Sequence, residues 1–242
     1  MADEIRDDNR VVQALNCLVV ETPAGRVLVE TGIGDRVTDK LREARGYEGP
    51  WIGAELERVG IEPESIDRVA LSHLHYDHAG GLLRADGSRL FPRATIVAQR
   101  AEWDVALSDN LRIAASYDQP ELELVRDWGA EGWVDGEREI LPGVSVVPTG
   151  GHTGGHQAVV VRGGGAGGRT LAFFGDLAVR AWSGNPRWVT AFDDFPLDSV
   201  TIKASLFARA ADEDWLVVLS HETRYPVGHL VRDRDRFRFA AL

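Results

Sequence analysis

Ser72-His73-Leu74-His75-Tyr76-Asp77-His78-Ala79-Gly80-Gly81 holds three of the chain's seven histidines and an aspartate within six residues. It follows Val69-Ala70-Leu71, which reads as the end of a buried strand over residues 66–71. Imidazole nitrogens and carboxylate oxygens are the ligands that borderline divalent cations take in hydrolytic sites. If the strand continues, His73, His75 and Asp77 share one parity and point the same way. His78 breaks that parity, so the spacing predicts that the backbone turns there, eased by the Gly80-Gly81 pair. Scattered histidines are usually solvated loop residues. Three at i, i+2 and i+5 around an aspartate are instead a ligand pattern, with room for one or two metals.

The rest of the composition narrows the function. With 242 residues, 44% hydrophobic and 27% charged, the chain can bury a sizeable core. A formal charge of −11 argues against nucleic acid as a partner, since a phosphate backbone demands a basic face. The single cysteine, Cys17, allows no internal disulfide, and its apolar surroundings read as those of a buried structural thiol. Residues 1–10 form a polar tail without the apolar stretch of a secretory signal, and no apolar run approaches the ~20 residues of a membrane span. These features read as a soluble, cytoplasmic protein that acts on a small molecule.

In chain order, β-prone runs at 11–20 and 26–31 flank a Pro-Ala-Gly turn, as in a hairpin. Helical stretches at 36–45 and 53–60 precede the strand that delivers the histidines. A polar loop at 84–90, a strand at 94–98 and a helix at 100–107 follow, with Trp103 and Trp128 expected to pack. A strand at 143–147 leads into Gly151-His152-Thr153-Gly154-Gly155-His156. Strands at 157–162 and 169–174 flank a glycine run, 163–168, which lacks the Lys-Ser/Thr and the following helix of a phosphate loop and reads as a hairpin loop. The strand at 171–174 ends in Gly175-Asp176. An aromatic-rich loop at 180–197, a helix at 198–211, a strand at 215–219 ending in Ser220-His221, and an edge strand at 236–239 complete the chain. Residues 26–73 and 169–221 echo each other as strand, glycine turn, helix and strand, which predicts two similar α/β halves with a site along a shared rim.

His152, Asp176 and His221 thus each lie just past an apolar strand, as the first cluster does. Five histidines and two aspartates on strand-end loops suffice for two sites of three ligands each plus a bridging carboxylate, with coordination positions left open as catalysis requires. His229 lacks such placement and reads as a surface or packing residue. Ser72 and Ser220 read as supports for the neighbouring histidines.

This ordered set, His73-x-His75-x-Asp77-His78, Gly-His152-Thr-x-Gly-His156, Asp176 and His221, resembles the metallo-β-lactamase superfamily across residues 11–221. The resemblance implies one four-layer αββα sandwich over residues 11–242 with a dinuclear site at the shared sheet rim. By position, His73, His75 and His152 would hold the first metal. Asp77, His78 and His221 would hold the second, Asp176 would bridge, and His156 would support without ligating. Zinc is the default for so nitrogen-rich a set, with manganese, iron or cobalt as alternatives. Within the family, Tyr76-Asp77-His78-Ala79-Gly80-Gly81 is most similar to small lactonase-like and organophosphate-hydrolase-like members.

The chain departs from the family in three places. Glu30 replaces an aspartate in the turn after the second strand and is expected to affect turn packing only. Gly151 and Gly154 replace prolines, and the tyrosine that quorum-signal lactonases carry after the bridging aspartate is absent. The resemblance implies hydrolysis of a small ester or lactone by a hydroxide shared between the metals, with Asp77 also relaying a proton to the leaving group. Thioester and phosphoester or phosphotriester hydrolysis are the rival reactions, and a metal-binding scaffold without turnover is the rival outside enzymology. Trp182, Trp188 and Phe192 either wall the pocket or pin their loop, and the exposed loop aromatics suit a monomer or a homodimer.

Overall fold

The computed structural model describes residues 5–128, 130–163 and 168–242. The glycine run singled out in the sequence therefore lies largely outside the described residues. Among the described residues twelve strands form two sheets. The first comprises β1 (Leu18–Thr22), β2 (Gly25–Val29), β3 (Arg68–Ala70), β4 (Thr95–Gln99) and β5 (Trp133–Val134), in that order. Apart from the β1–β2 hairpin its pairs are parallel. The second runs β12-β11-β10-β9-β8-β7-β6, from β6 (Arg138–Leu141), β7 (Val144–Pro148), β8 (Gln157–Val161), β9 (Leu171–Phe173), β10 (Leu216–Val218), β11 (Val227–Asp233) and β12 (Arg236–Ala241). Only β9 and β10 pair in parallel.

Period-two alternation builds the layers, because successive strand side chains point to opposite faces. Val27, Val29, Ala70 and Val97 meet Val146, Val159, Phe173 and Val218 in a buried cluster between the sheets. Their neighbours Leu28, Val69, Leu71, Ile96 and Ala98 face outward under helices α2 (Ile52–Arg58), α4 (Arg100–Ala106) and α5 (Gln119–Val125). On the far side, Ala158, Val160, Ala172, Phe174, Val217 and Leu219 pack beneath the long helix of Pro196–Asp212. Strands apolar on both faces demand cover on both faces, and two such sheets back to back give the αββα sandwich. Trp103 is 1% exposed and stacks on Trp133, while Trp128 packs half-buried at the same cluster.

Several boundaries differ from the sequence reading. The helix placed at 36–45 is α1, Asp39–Arg45, capped by Thr38. Strands β5, β6 and β11 carry too little alternation to be read in advance. The histidine stretch is not a continued strand: β3 ends at Ala70, and Tyr76–Ala79 is a helical turn, α3, that carries Asp77 and His78. The 17-residue helix at 196–212 is α6, and no helix of the described residues is long and apolar enough to cross a membrane.

One buried charge in this frame makes a stability prediction. Glu121 on α5 is 5% exposed, and its Oε2 lies 3.7 Å from Arg36 Nε. Burial, with help from Asp118 and Asp35 and against Arg36, pushes its carboxyl up to about 8 from an ordinary 4.5. The folded state then binds a proton that the unfolded chain has released, so this residue's contribution falls as pH rises from 4.5 to about 8. Glu121→Gln is therefore expected to match wild type in urea melts below pH 4.5 and to exceed it by roughly 2–4 kcal/mol above pH 8. A stability gap that does not change with pH would contradict the assignment.

Candidate metal centre

All seven residues singled out in the sequence converge at one rim of the sandwich. Ligand atoms lie within 4.8 Å of one another in three groups: His73 with His75 and His152, His73 with His78 and Asp176, and Asp77 with His78 and His221. Asp176 is the hinge of the arrangement. Its Oδ2 faces His152 Nε2 at 3.6 Å, while its Oδ1 faces His78 Nε2 at 3.3 Å and His221 Nε2 at 3.1 Å. Asp77 Oδ2 stands 3.8 Å from His221 Nε2 and 3.9 Å from His78 Nε2. His152 Nε2 approaches His75 Nδ1 to 3.3 Å. The His73 ring packs against those of His78, His75 and His152, with centroids 4.1, 4.4 and 4.7 Å away.

The backbone explains this convergence. Gly175 adopts φ 50°, and a Cβ there would come within 2.6 Å of Ser72 and 2.5 Å of His156 Nε2, so only glycine lets the end of β9 close on the first cluster. The hydroxyl of Ser220 donates to Asp176 Oδ1 at 2.9 Å, and Ser72 Oγ bonds His73 Nδ1 at 2.9 Å, the supporting roles expected of both serines. His221 Nδ1 donates to the carbonyl of Ala14 at 2.8 Å, fixing Nε2 toward the site. His156 is bonded through Nδ1 to Thr149 at 2.6 Å and belongs to none of the three groups. His229, on β11, also stands outside them, 3.0 Å from Asp214.

Electrostatics separate the two halves of the cluster. Burial, reinforced by neighbouring imidazoles, holds His73 and His75 far below the ordinary histidine range, in the neutral form that ligates metals. Burial opposes charge on His78 and His221 too, but Asp176 and its neighbouring carboxylates outweigh it and raise both. Asp176 is held well below the carboxylate range, its burial overcome by His221 and His78. A concentrated negative field with neutral imidazoles at its edge suits a divalent cation. The Nε2 atom of His73 is buried without a hydrogen-bond partner among the described residues, as expected of a group whose partner is a cation. The donor set fits a pair of such ions.

Three carboxylates behind the cluster carry no clear mark in the sequence or a different one. Glu30, expected to touch only turn packing, accepts from His78 Nδ1 at 3.1 Å and from the Ser72 amide at 2.8 Å, so it orients a cluster histidine directly. Glu102, fully buried on α4, accepts from the amides of Leu74 and Gly155 and from the hydroxyls of Tyr117 and Thr153. Asp193 accepts from His152 Nδ1 at 2.9 Å. Only Glu30 had a signal, its place in the turn after β2. Outer partners of this kind commonly set the orientation and basicity of metal-binding imidazoles.

Residues 11–221 match the metallo-beta-lactamase superfamily, and the chain belongs to it. Among curated relatives, an N-acyl homoserine lactonase of Bacillus cereus is 32% identical over 157 residues, 60% of this chain and 57% of that protein. The AiiB lactonase of Agrobacterium fabrum is 31% identical over 131 residues, 47% of this chain and 44% of its own. The chain thus spans about half the length of these relatives. AidC, a dizinc quorum-quenching lactonase, superposes with a TM-score of 0.80 at 20% identity, covering 100% of this chain and 83% of its own. The hydrolase AbOPH superposes at 0.78 with 20% identity and the same coverage. At such identities the two structures speak to the fold alone.

Proposed function

We propose that the chain is a metal-dependent hydrolase of a small ester or lactone. The observation that carries this reading is Asp176, which turns one carboxylate oxygen toward His152 and the other toward His78 and His221. In this reading His73, His75 and His152 hold one divalent cation, Asp77, His78 and His221 hold a second, and Asp176 spans both. Zinc is the expected metal. Bound cations would supply Lewis acidity, which makes water nucleophilic near neutral pH and polarises the scissile carbonyl.

The chain's own residues supply the rest. Asp77 is the most exposed member of the cluster, with its side chain 25% accessible, and it lines the cavity over the site. It is placed to accept a proton and to hand it to a departing alkoxide. That cavity, about 410 Å³, is lined by His75, Asp176 and His221 together with Val11, Val179, Trp182 and Phe192. Trp182 and Phe192 therefore face the pocket, whereas Trp188 packs behind Trp182 and lies outside the lining. Such a wall suits an apolar acyl or alkyl group beside the scissile bond.

A panel of lactones, aryl esters, thioesters, β-lactams and phosphotriesters tests the reading, together with metal analysis of the purified protein. Lactones or aryl esters are expected to turn over, chelation to abolish the activity, and added zinc to restore it. Zinc-loaded protein that is silent across the panel would refute it. Within the panel, Trp182→Ala is expected to raise KM for long-chain esters about 5- to 30-fold, as loss of ~1–2 kcal/mol of apolar contact implies, and to leave acetate esters unaffected.

A further inference from the structure

The segment from Thr190 to Phe195 has two faces. Thr190, Ala191 and Phe192 line the same cavity as His75, Asp176 and His221. On the other face the backbone pairs with the ligand loop: the Asp194 amide donates to the His152 carbonyl at 2.9 Å and the Phe195 amide to the Gly151 carbonyl at 3.0 Å. Asp193 sits between the faces and is 4% exposed. Its Oδ1 accepts from His152 Nδ1 at 2.9 Å and from the Thr190 hydroxyl at 2.7 Å.

In a neutral imidazole only one ring nitrogen carries a proton, and at His152 the bond to Asp193 Oδ1 makes that nitrogen Nδ1. That leaves the Nε2 lone pair directed at the cluster, where it faces His75 Nδ1 at 3.3 Å and Asp176 Oδ2 at 3.6 Å. Further upstream the same loop is held differently, by Lys203 Nζ donating to the carbonyl of Trp188. The side chains of Thr190 and His152 thus meet at one carboxylate oxygen, Asp193 Oδ1.

We infer that Asp193 is a positioning residue that ties the substrate-facing wall to the ligand His152, so that the fit of a substrate against Thr190 and Phe192 and the grip on a cation at His152 depend on the same contact. This rests on the metal-hydrolase reading above. Two binding events that share one support are linked, and the linkage acts in both directions. A tail that seats well against the wall favours metal retention, and loss of the shared contact loosens both.

Zinc-loaded wild type, Asp193→Asn and Thr190→Val would be compared by competition with a chromophoric chelator and by steady-state hydrolysis of hexanoate and acetate aryl esters. Asparagine keeps the shape and one acceptor oxygen but loses the charge. Valine keeps the bulk of Thr190 but loses the hydroxyl. Asp193→Asn is expected to weaken zinc binding at one site about 10- to 100-fold, the range for outer-sphere partners of ligating histidines, and to raise KM for hexanoate relative to acetate. Thr190→Val, which keeps the His152 bond to Asp193, is expected to weaken zinc binding by less than Asp193→Asn does and to raise the same KM ratio about fivefold, as loss of one hydrogen bond implies. A merely structural role predicts lower melting temperatures with zinc affinity and KM ratio unmoved, and that result would overturn the inference. Should Asp193→Asn fail to fold, an unmoved KM ratio in Thr190→Val alone overturns it. Zinc retention by Asp193→Asn equal to that of a zinc-binding wild type overturns the inference but not the functional reading. A wild-type chain that takes up no divalent cation overturns both.

Discussion

Asp176→Asn is expected to lower hydrolysis by about 10³-fold and to reduce bound metal from two ions per chain to one or none. The substitution is nearly isosteric, so its effect isolates the chemistry of the second oxygen. That oxygen becomes an amide nitrogen, which offers no lone pair to a cation, and the side chain loses the charge that now draws His78 and His221 toward it. Whichever way the amide turns, one of the two histidine sets loses its carboxylate. The Ser220 hydroxyl, which donates to Oδ1, can still find an acceptor if the amide oxygen takes that side. In that orientation it is His152 that faces the nitrogen. Elemental analysis per folded chain and turnover of the best ester from the panel decide the matter, with far-UV circular dichroism as the control for folding. Two ions retained together with full turnover would remove Asp176 from the centre of the chemistry.

Why the seven cluster residues could be read in advance, and their supports could not, has a physical explanation. Most of the cluster follows an apolar strand closely: His73 and His75 follow β3, His152 follows β7, Asp176 follows β9 and His221 follows β10, with Asp77 and His78 on the helical turn just beyond His75. Strand ends on one rim are forced together by sheet pairing, so the apolar periodicity that specifies the strands also locates what lies just beyond them. The alternation of Val27, Leu28 and Val29, or of Val217, Val218 and Leu219, carried the layers in the same way. The supports obey no such rule. Glu102 lies in a helix and Asp193 in an irregular loop, 28 residues from Leu74 and 41 from His152 respectively, and what matters is which way one carboxylate turns. Glu30 shows the same limit at close range. Its position was noticed, but the left-handed backbone at φ 64° that swings it under His78 leaves no trace in residue order. Strand parity likewise misread Asp77, because the chain is already helical from Tyr76 onward.

Glu102 is the support whose loss is expected to cost the fold most. Its two oxygens divide four donors evenly: Oε1 takes the Leu74 amide and the Tyr117 hydroxyl, each at 3.0 Å, and Oε2 takes the Gly155 amide at 3.1 Å and the hydroxyl of Thr153. Leu74 lies between His73 and His75, and Thr153 and Gly155 follow His152, so this one side chain staples the two loops of the cluster together. The approach is close enough that a Cβ on Gly155 would fall 2.2 Å from the Glu102 amide nitrogen. A hydroxyl can turn to accept, but a backbone N–H cannot, and each carboxylate oxygen serves one of these obligate donors. Glu102→Gln must therefore aim its NH₂ at a buried amide in either orientation, in a site with no solvent to compensate. The expected cost is about 2–4 kcal/mol, read as a lower urea midpoint, against a fraction of that for a glutamine on the surface. Tyr117 also packs edge-on against His75, with centroids 4.8 Å apart, so the disturbance reaches a ligand as well as the loops. The loss of stability should accordingly be accompanied by faster release of zinc to a chelator under conditions where the variant is still fully folded. An unchanged midpoint would mean that the four donors find other acceptors, and that the two loops are held in register by something other than this carboxylate.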